Sequence, residues 1–238
     1  MTDYTNWPLI GQGEERSCYL NPDDPTRMAK FSPIRQSTQT RREIRYFNTL
    51  IKKGVPFDFI PRYYGEIHEK DRLGIEQEFI ADEPDSFRAA PTVSDYVSRS
   101  LTAEEIAEFR KAYFQLKDYL LRWNVIPANL AISNVVVSKT PSGLRLVMVD
   151  GVGGTELIPL ANWFRFLGKR KIERKWVKLT RRLNAINSRL NLYRPVPVAR
   201  QGTFPIFRDA FSGSGQLPAG KTRSMKNRRA AIPIPAFP

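Results

Sequence analysis

Apolar residues recur at helical spacing in three segments of the chain. In Thr40–Lys52 and Thr102–Trp123 they step by three or four positions, which predicts amphipathic helices. Beyond Gly154, the segment Leu157–Asn162 followed by Trp163–Leu190 predicts one or two further helices, which are strongly basic. Thr102 and Glu105 match the S/T-x-x-E capping box, so the second helix is expected to begin at Thr102. Its aromatic residues follow the apolar face and are expected to pack in the core.

Short apolar runs between turn residues predict strands in the first half of the chain. These runs are Leu9–Tyr19, Met28–Phe31, Pro61–Ile67 and Leu73–Ile80. The first run predicts a strand, a turn and a returning strand, and Gly11 and Gly13 would let a ligand approach this backbone closely. The polar, proline-containing segment Ala81–Pro91 predicts a linker, and we place a boundary between two lobes there.

The segment Val125–Gly154 predicts a second hairpin. An apolar run follows Asn134, Pro141-Ser142-Gly143 supplies the turn, and a second apolar run ends at Asp150. This hairpin would hold an amide and a carboxylate at neighbouring edges of one sheet, and such oxygen ligands suit a hard cation such as Mg²⁺. Taken singly, each residue is also a common turn former.

Lys30 lies inside an otherwise apolar strand, where an ammonium group needs either a charged partner or access to solvent. Glu43 is the only acidic residue of the predicted helix Thr40–Lys52, and we expect it to pair with Lys30. The alternative is an exposed Glu43 that pairs with a neighbouring arginine for about a few tenths of a kcal/mol.

Charge is distributed unevenly along the 238 residues, whose net charge is +14. Arg165–Arg182 holds nine Lys or Arg against one acidic residue, and Pro195–Pro238 holds seven against one. Arg189 and Arg194 add two further positive charges, so residues 1–164 carry a net charge of only −2. A basic helix and tail on a nearly neutral body favour attachment to acidic protein, nucleic acid or anionic lipid. The alternative is a solvated helix face with a flexible end.

No apolar run approaches the ~20 residues of a membrane span, and the first residues lack the pattern of a secretion signal. We therefore expect no transmembrane segment and a cytoplasmic protein. The single Cys18 excludes an internal disulfide, and we expect it to be a small buried apolar residue. The single His68 is expected to be a strand or turn residue. The proline-, glycine- and serine-containing segment Arg194–Pro238 is expected to be disordered.

The order of these features resembles the protein-kinase-like fold: a glycine hairpin, a strand lysine, a helix glutamate, more strands, a linker, a helix, then Asn and Asp. The resemblance implies an α+β, two-lobed domain over residues 1–190. It would have a small antiparallel N-lobe sheet (about 1–82) and a reduced, mostly helical C-lobe (about 92–190). Residues 191–238 would form the basic disordered tail.

The same resemblance implies a nucleotide site that binds ATP and Mg²⁺. Gly11, Gly13 and Arg16, the last in place of a third glycine, would lie over the phosphates. Lys30 and Glu43 would form the ion pair that holds the phosphates, and Asn134 and Asp150 would bind the metal. The hinge that meets adenine would lie at Glu78–Ala81.

Four stretches are more specifically similar to the PhoP-regulatory-network (YrbL-like) family of bacterial proteins. They read IGQGEERSCYLNP, REIRYFNTL, VDGVGGTELIPLANW and KRKIERKWVKL. The resemblance runs from about Leu9 to Leu183, and that family is assigned to the kinase-like superfamily by similarity. It is therefore more informative about the fold than about the reaction.

Several positions depart from a working kinase. Asn129 stands where the catalytic Asp is expected, and an amide cannot accept a proton from a hydroxyl group at neutral pH. Gly151-Val152 follows Asp150 in place of Phe-Gly. We therefore treat Asn129 and Asp150 as the catalytic-position residues of an ATP- and Mg²⁺-binding domain with weak or atypical phosphotransferase activity, or of a pseudokinase in bacterial regulation.

Two alternatives use the basic C-terminal third instead of a nucleotide. The first is a non-catalytic adaptor that binds an acidic protein or another polyanion. The second is nucleic-acid binding, in which Trp163, Phe166 and Trp176 would stack on bases between the Lys and Arg residues. At helical spacing, however, these aromatic residues are more often part of the core.

Overall fold

The structure is a computed structural model that describes residues 4, 6–13, 15–84, 86–153 and 165–193. Seven strands and four helices occur in these ranges. In chain order they are β1 (Leu9–Gln12), β2 (Ser17–Leu20), β3 (Arg27–Pro33), α1 (Thr38–Lys52), β4 (Tyr63–His68), β5 (Arg72–Glu78), α2 (Val93–Val97), α3 (Ala103–Trp123), β6 (Val135–Thr140), β7 (Gly143–Met148) and α4 (Arg165–Ile186). The predictions for Leu157–Asn162, Trp163 and the segment Arg194–Pro238 lie outside the described residues.

The first five strands form one antiparallel sheet with the order β1-β2-β3-β5-β4. Cys18 is paired with Gly11 on one side and with Lys30 on the other, so these three residues face the same side of the sheet. The prediction of a mixed α and β protein with an antiparallel N-terminal sheet is confirmed. The sheet also places the glycine hairpin directly beside the strand that carries Lys30.

Local sequence signals explain where the main helix and the second hairpin begin and end. Thr102 accepts a hydrogen bond from the Glu105 amide, and the Glu105 carboxylate accepts one from the Thr102 amide, as predicted for a capping box. α3 ends at Asn124, whose left-handed conformation has a φ of 54°. The predicted second hairpin is also confirmed, because β6 and β7 pair from Val135↔Met148 to Thr140↔Gly143.

One buried cluster joins α1 and β5 to the helices and to the β6–β7 hairpin. Phe47 stacks on Tyr63 at a centroid distance of 5.0 Å, on the sheet side of the cluster. Tyr113 of α3 lies 4.4 Å from the ring of Trp176 in α4, and its hydroxyl group is 2.7 Å from that of Thr180. Trp176 therefore packs in the core, as its helical spacing allowed.

The predicted linker Ala81–Pro91 contains ordered contacts. Ala81 pairs with Ala89 in an isolated bridge, and the Lys139 and Val137 amides of β6 donate to the carbonyl groups of Asp82 and Pro91. The short helix α2 follows, and its N-terminal Thr92 accepts a hydrogen bond from the Asp95 amide. We did not predict α2, because five residues are too few to show a helical period.

α4 is one continuous helix of 22 residues rather than two. Its apolar face, including Ile172, Trp176, Leu179 and Leu183, is buried, and most of its basic residues are exposed. Leu192, just after this helix, also belongs to the core. None of the helices that the structure describes is both long enough and apolar enough to cross a lipid bilayer.

Candidate functional site

An open cavity of about 660 Å³ lies between the start of α1 and the two segments that flank the β6–β7 hairpin. Glu43 of α1 lines it from one side. Asn129 and Asn134 line it from the segment before β6, and Asp150 lines it from the segment after β7. Four of the residues singled out from the sequence therefore meet in one place, although more than one hundred positions separate the first from the last.

Arg16 connects the glycine hairpin to both carboxylates of this cavity. Its guanidinium group forms an ion pair with Glu43 and a second one, at 2.5 Å, with Asp150. The side chains of Arg16 and Glu43 are only 9% and 3% exposed, so this contact is largely removed from water. The two carboxylates raise the pKa of Arg16 above its ordinary value and outweigh the burial that lowers it.

The predicted ion pair between Lys30 and Glu43 is wrong. The Lys30 ammonium instead donates a hydrogen bond of 2.6 Å to the carbonyl oxygen of Val149, the residue before Asp150. Arg16 takes the carboxylate that we had assigned to Lys30, because its longer side chain reaches across from the hairpin. Lys30 is 6% exposed and still acts on Asp150 through its charge.

Asp150 is held ionised by its neighbours. Burial alone would raise the pKa of its carboxyl group, but the charges of Lys30 and Arg16, and hydrogen bonds from Arg16 and the Gly151 amide, outweigh that effect. The pKa is therefore lower than the ordinary value of 3.8. Asp150 is a carboxylate at neutral pH and can act as a metal ligand, but it is too weak a base to accept a proton readily.

This lowered pKa predicts how stability depends on pH. Asp150 contributes its full stabilisation above the unfolded value of about 3.9 and loses it as the pH falls through the lower folded value. We expect the free energy of unfolding of Asp150→Ala to decrease less steeply with falling pH in this acidic range than that of the wild-type protein. Urea denaturation at a series of pH values measures it, with Asp118→Ala on the exposed side of α3 as the control. Identical acid limbs for Asp150→Ala and wild type would contradict the assignment.

Hydrogen bonds fix the segment before β6 against the segment after β7. The Asn134 side-chain amide donates to the carbonyl oxygen of Asn129 at 3.2 Å, and the Ala128 amide donates to that of Gly151 at 2.6 Å. The Val149 amide donates to the carbonyl of Asn134 at 2.9 Å. The Asn134 side-chain oxygen accepts a hydrogen bond of 3.3 Å from the Ser133 hydroxyl group, and its second lone pair could bind a cation.

Gly151 is required by both its conformation and its surroundings. Its φ is 69°, and a Cβ atom there would lie 2.5 Å from the carbonyl oxygen of Asn129 and 3.1 Å from the side-chain nitrogen of Asn134. We expect Gly151→Ala to lower the free energy of unfolding by about 2 kcal/mol or more, because strain and a backbone clash add. Gly143→Ala has positive φ but an open surrounding, so it should cost less. Chemical denaturation of both variants separates the two effects; equal losses would exclude the clash.

Glu43 has one oxygen atom without a partner. Arg16 binds Oε2, but the buried Oε1 has no hydrogen-bond partner among the residues that the structure describes. A buried carboxylate oxygen in this state is costly unless water or a ligand reaches it. Glu43 lines the cavity, so an occupant of the cavity is the simplest source of the missing contact.

Sequence comparison places the chain in a family. The family model described as PhoP regulatory network protein YrbL matches residues 3–184, which include every cavity residue named above. The chain belongs to the YrbL family. Uncharacterized protein YrbL from Escherichia coli (strain K12) and its namesake from Shigella flexneri are each 31% identical to it over 173 residues. Each match covers 70% of this chain and 80% of the relative.

The remaining predicted residues of this YrbL-family chain lie outside the cavity lining. Gly11 and Gly13 are exposed in the hairpin, and the Gly13 amide closes the turn by donating to the Arg16 carbonyl at 2.8 Å. Glu78 accepts a hydrogen bond from the Arg62 amide at 3.0 Å and contacts Arg145 at 3.5 Å. These contacts occupy the Glu78 carboxylate at the end of β5.

Three residues near the site were not predicted to belong to it. Cys18 is half-buried rather than fully buried, and burial raises the pKa of its thiol despite the nearby Lys30 and Arg16. Gln39 and Arg42 of α1 line the cavity beside Glu43. Arg42 is one position before Glu43 on the predicted helix and flanks the same face, so it could have been indicated. Gln39 lies just before the predicted start at Thr40, because α1 begins earlier, at Thr38.

Proposed function

We propose that this YrbL-family protein is a kinase-like, two-lobed domain that binds ATP and Mg²⁺ in the cytoplasm, with weak or atypical phosphotransferase activity. The observation that supports the proposal is that two carboxylates and two amides line one cavity, and that two largely buried cations, which are not part of its lining, act on those carboxylates. The cations are Arg16 and Lys30, and the carboxylates are those of Glu43 and Asp150. Phosphoryl transfer depends mainly on positioning and charge neutralisation, which this combination of groups can supply.

The size and charge of the cavity suit a nucleoside triphosphate. A volume of about 660 Å³ lies within the usual range of small-molecule sites. Arg16 and Lys30 provide positive charge on the side of the glycine hairpin, where the phosphates would lie. The exposed backbone around Gly11 and Gly13 has no side chain that would block their approach.

The residues present also fit magnesium. Mg²⁺ is usually held by one or two carboxylates while substrate phosphates and water complete its shell. The Asp150 carboxylate and the Asn134 amide oxygen supply two such ligands, and Glu43 lines the same cavity. The described residues contain no group of three His, Cys, Asp or Glu that could hold a metal alone. This agrees with a metal that binds together with the nucleotide.

Turnover is expected to be slow because Asn129 cannot act as a general base. General-base assistance contributes about 10²- to 10⁴-fold to rate, so its absence raises the barrier by about 3–5 kcal/mol. Asp150 does not replace it, since its lowered pKa makes it a poor proton acceptor. Nucleotide binding should therefore be easier to detect than product formation.

The test is calorimetric titration of the full chain with ATP, first with Mg²⁺ and then with EDTA, followed by an assay for ADP release. We expect saturable binding with Mg²⁺ and much weaker binding with EDTA. Lys30→Met should weaken binding, whereas Lys70→Met, a matched change at an exposed turn, should not. An absence of ATP heat in the wild-type protein under both conditions would exclude the proposal.

A non-catalytic adaptor is the second candidate, because α4 presents an exposed basic face. Nucleic-acid stacking is less favoured, since Trp176 is only 3% exposed while Phe166 is 66% exposed. An acidic protein partner is the better fit. If deletion of 195–238 abolishes partner capture and nucleotide has no effect on capture, the adaptor function is favoured over the nucleotide-binding one.

A further inference from the structure

A second cavity, of about 270 Å³, lies on the exposed side of α4. Four long basic side chains line it, one of which is Lys175, and the other three stand at successive turns of the helix: Arg174, Lys178 and Arg182. Their spacing of four residues places all three on one face. Asn129 and Leu130 form the opposite wall. Four of the nine basic residues of α4 therefore line one concave site.

These cations have no acidic counterpart nearby. The lining of the cavity contains no carboxylate, and no ion pair joins Arg174, Lys178 or Arg182 to an acidic residue in the described ranges. Glu173, the one acidic residue of α4, instead pairs with Lys117 of α3 at 3.0 Å. Like charges four residues apart destabilise a helix. An anion bound between these basic side chains would therefore offset their mutual repulsion.

The cavity is a fixed feature that borders the nucleotide cavity. Lys175 donates a hydrogen bond to the carbonyl oxygen of Ala128, which attaches α4 to the segment before β6. Asn129, the next residue, lines both cavities. A molecule held by the three cations of α4 would therefore extend towards Asn129 and the edge of the larger cavity.

We infer that this α4 cavity binds a small phosphomonoester. Its volume of about 270 Å³ is enough for a phosphate group and a few carbon atoms. A phosphomonoester carries close to two negative charges, and arginine binds phosphate oxygens in a bidentate manner. Two arginines and a lysine without carboxylates match that chemistry better than a neutral or singly charged ligand.

Calorimetric titration of the full chain with glycerol 1-phosphate, without nucleotide, tests this inference. The variant Arg174→Gln/Lys178→Gln/Arg182→Gln should lose at least about tenfold in affinity, because its three phosphate donors are absent. A matched variant, Lys169→Gln/Arg170→Gln/Arg181→Gln, removes the same charge from exposed positions of the same helix outside the cavity. It should retain the affinity of the wild-type protein. Circular dichroism confirms that both variants are folded.

Three outcomes would overturn the inference. They are no binding by the wild-type protein at millimolar glycerol 1-phosphate, equal losses in the two triple variants, or equal heats for glycerol 1-phosphate and glycerol. A parallel titration with a single-stranded DNA oligonucleotide covers the macromolecular alternative. If that oligonucleotide binds and both variants weaken it equally while glycerol 1-phosphate does not bind, α4 is a general polyanion surface. Because no nucleotide is present, failure of the proposed ATP site leaves this test unaffected.

Discussion

Asp150→Ala is expected to weaken magnesium-dependent ATP binding by about a hundredfold, or about 2.8 kcal/mol. The variant loses a carboxylate that lines the same cavity as Asn134 and is charge-coupled to Arg16 and Lys30. Magnesium bound with a nucleotide relies on one or two carboxylates, so the loss of one removes a large share of its protein ligands. Calorimetric titration with ATP in Mg²⁺ and in EDTA gives the difference directly.

Asp118→Ala is the matched control for that experiment. Asp118 lies at an exposed position of α3, away from the cavity. Its substitution by Ala removes the same charge and the same number of atoms as Asp150→Ala. We expect its ATP affinity to equal that of the wild-type protein. If Asp150→Ala binds ATP as tightly as Asp118→Ala in the presence of Mg²⁺, Asp150 is not a metal ligand.

Arg16→Ala is expected to lower the free energy of unfolding by about 3 kcal/mol in metal-free buffer. The substitution leaves the carboxylates of Glu43 and Asp150 facing each other without the guanidinium group that separates them, and Glu43 is only 3% exposed. Unfolding in urea measures the loss. We further expect Mg²⁺ to restore part of the stability of this variant, since a divalent cation can take the place of the guanidinium between two carboxylates.

An exposed ion pair provides the comparison. Arg88 pairs with Asp82 at 2.7 Å, but its side chain is 82% exposed, so Arg88→Ala should leave stability unchanged within error. Mg²⁺ should not alter the stability of Arg88→Ala. Equal stabilities of Arg16→Ala and Arg88→Ala would show that the Arg16 bridge contributes little, and an absence of any Mg²⁺ effect on Arg16→Ala would argue against a cation site between Glu43 and Asp150.

The parts of the fold that the sequence predicted depend on short-range signals. The Thr102–Glu105 capping box, the turn at Pro141–Gly143 and the apolar period of α3 each involve residues within a few positions of one another. Such patterns can be read from the sequence because the hydrogen bonds of a helix cap or a turn form between residues a few positions apart. The five-residue α2 lacked such a period and was missed.

The arrangement of the site depends on long-range contacts that no local pattern encodes. Sequence order brought Lys30, Glu43, Asn134 and Asp150 into one hypothesis, but the partner of Glu43 was assigned wrongly. Arg16 lies 27 positions from Glu43 and 134 from Asp150, and its reach is decided by the pairing of β1, β2 and β3. Side-chain length and strand register together selected the arginine over the lysine.

A hydrogen bond of the Tyr46 hydroxyl group restricts which side of the cavity can open. The hydroxyl oxygen accepts a hydrogen bond of 2.8 Å from the Ile126 amide, and this bond connects α1 to the segment that leads into Asn129. On the opposite side, β1 is an edge strand whose one strand partner in the described sheet is β2, and Leu9 and Ile10 stay 53% and 42% exposed. Apart from that pairing, the ion pairs of Arg16 with Glu43 and Asp150 tie the hairpin to the cavity. If the cavity opens to admit a ligand, the glycine hairpin would therefore be the part that moves. Arg16 would move with the hairpin, while Glu43 and Asn129 would keep their positions relative to each other. Hydrogen exchange should show β1 amides opening well before those of Ala29–Phe31.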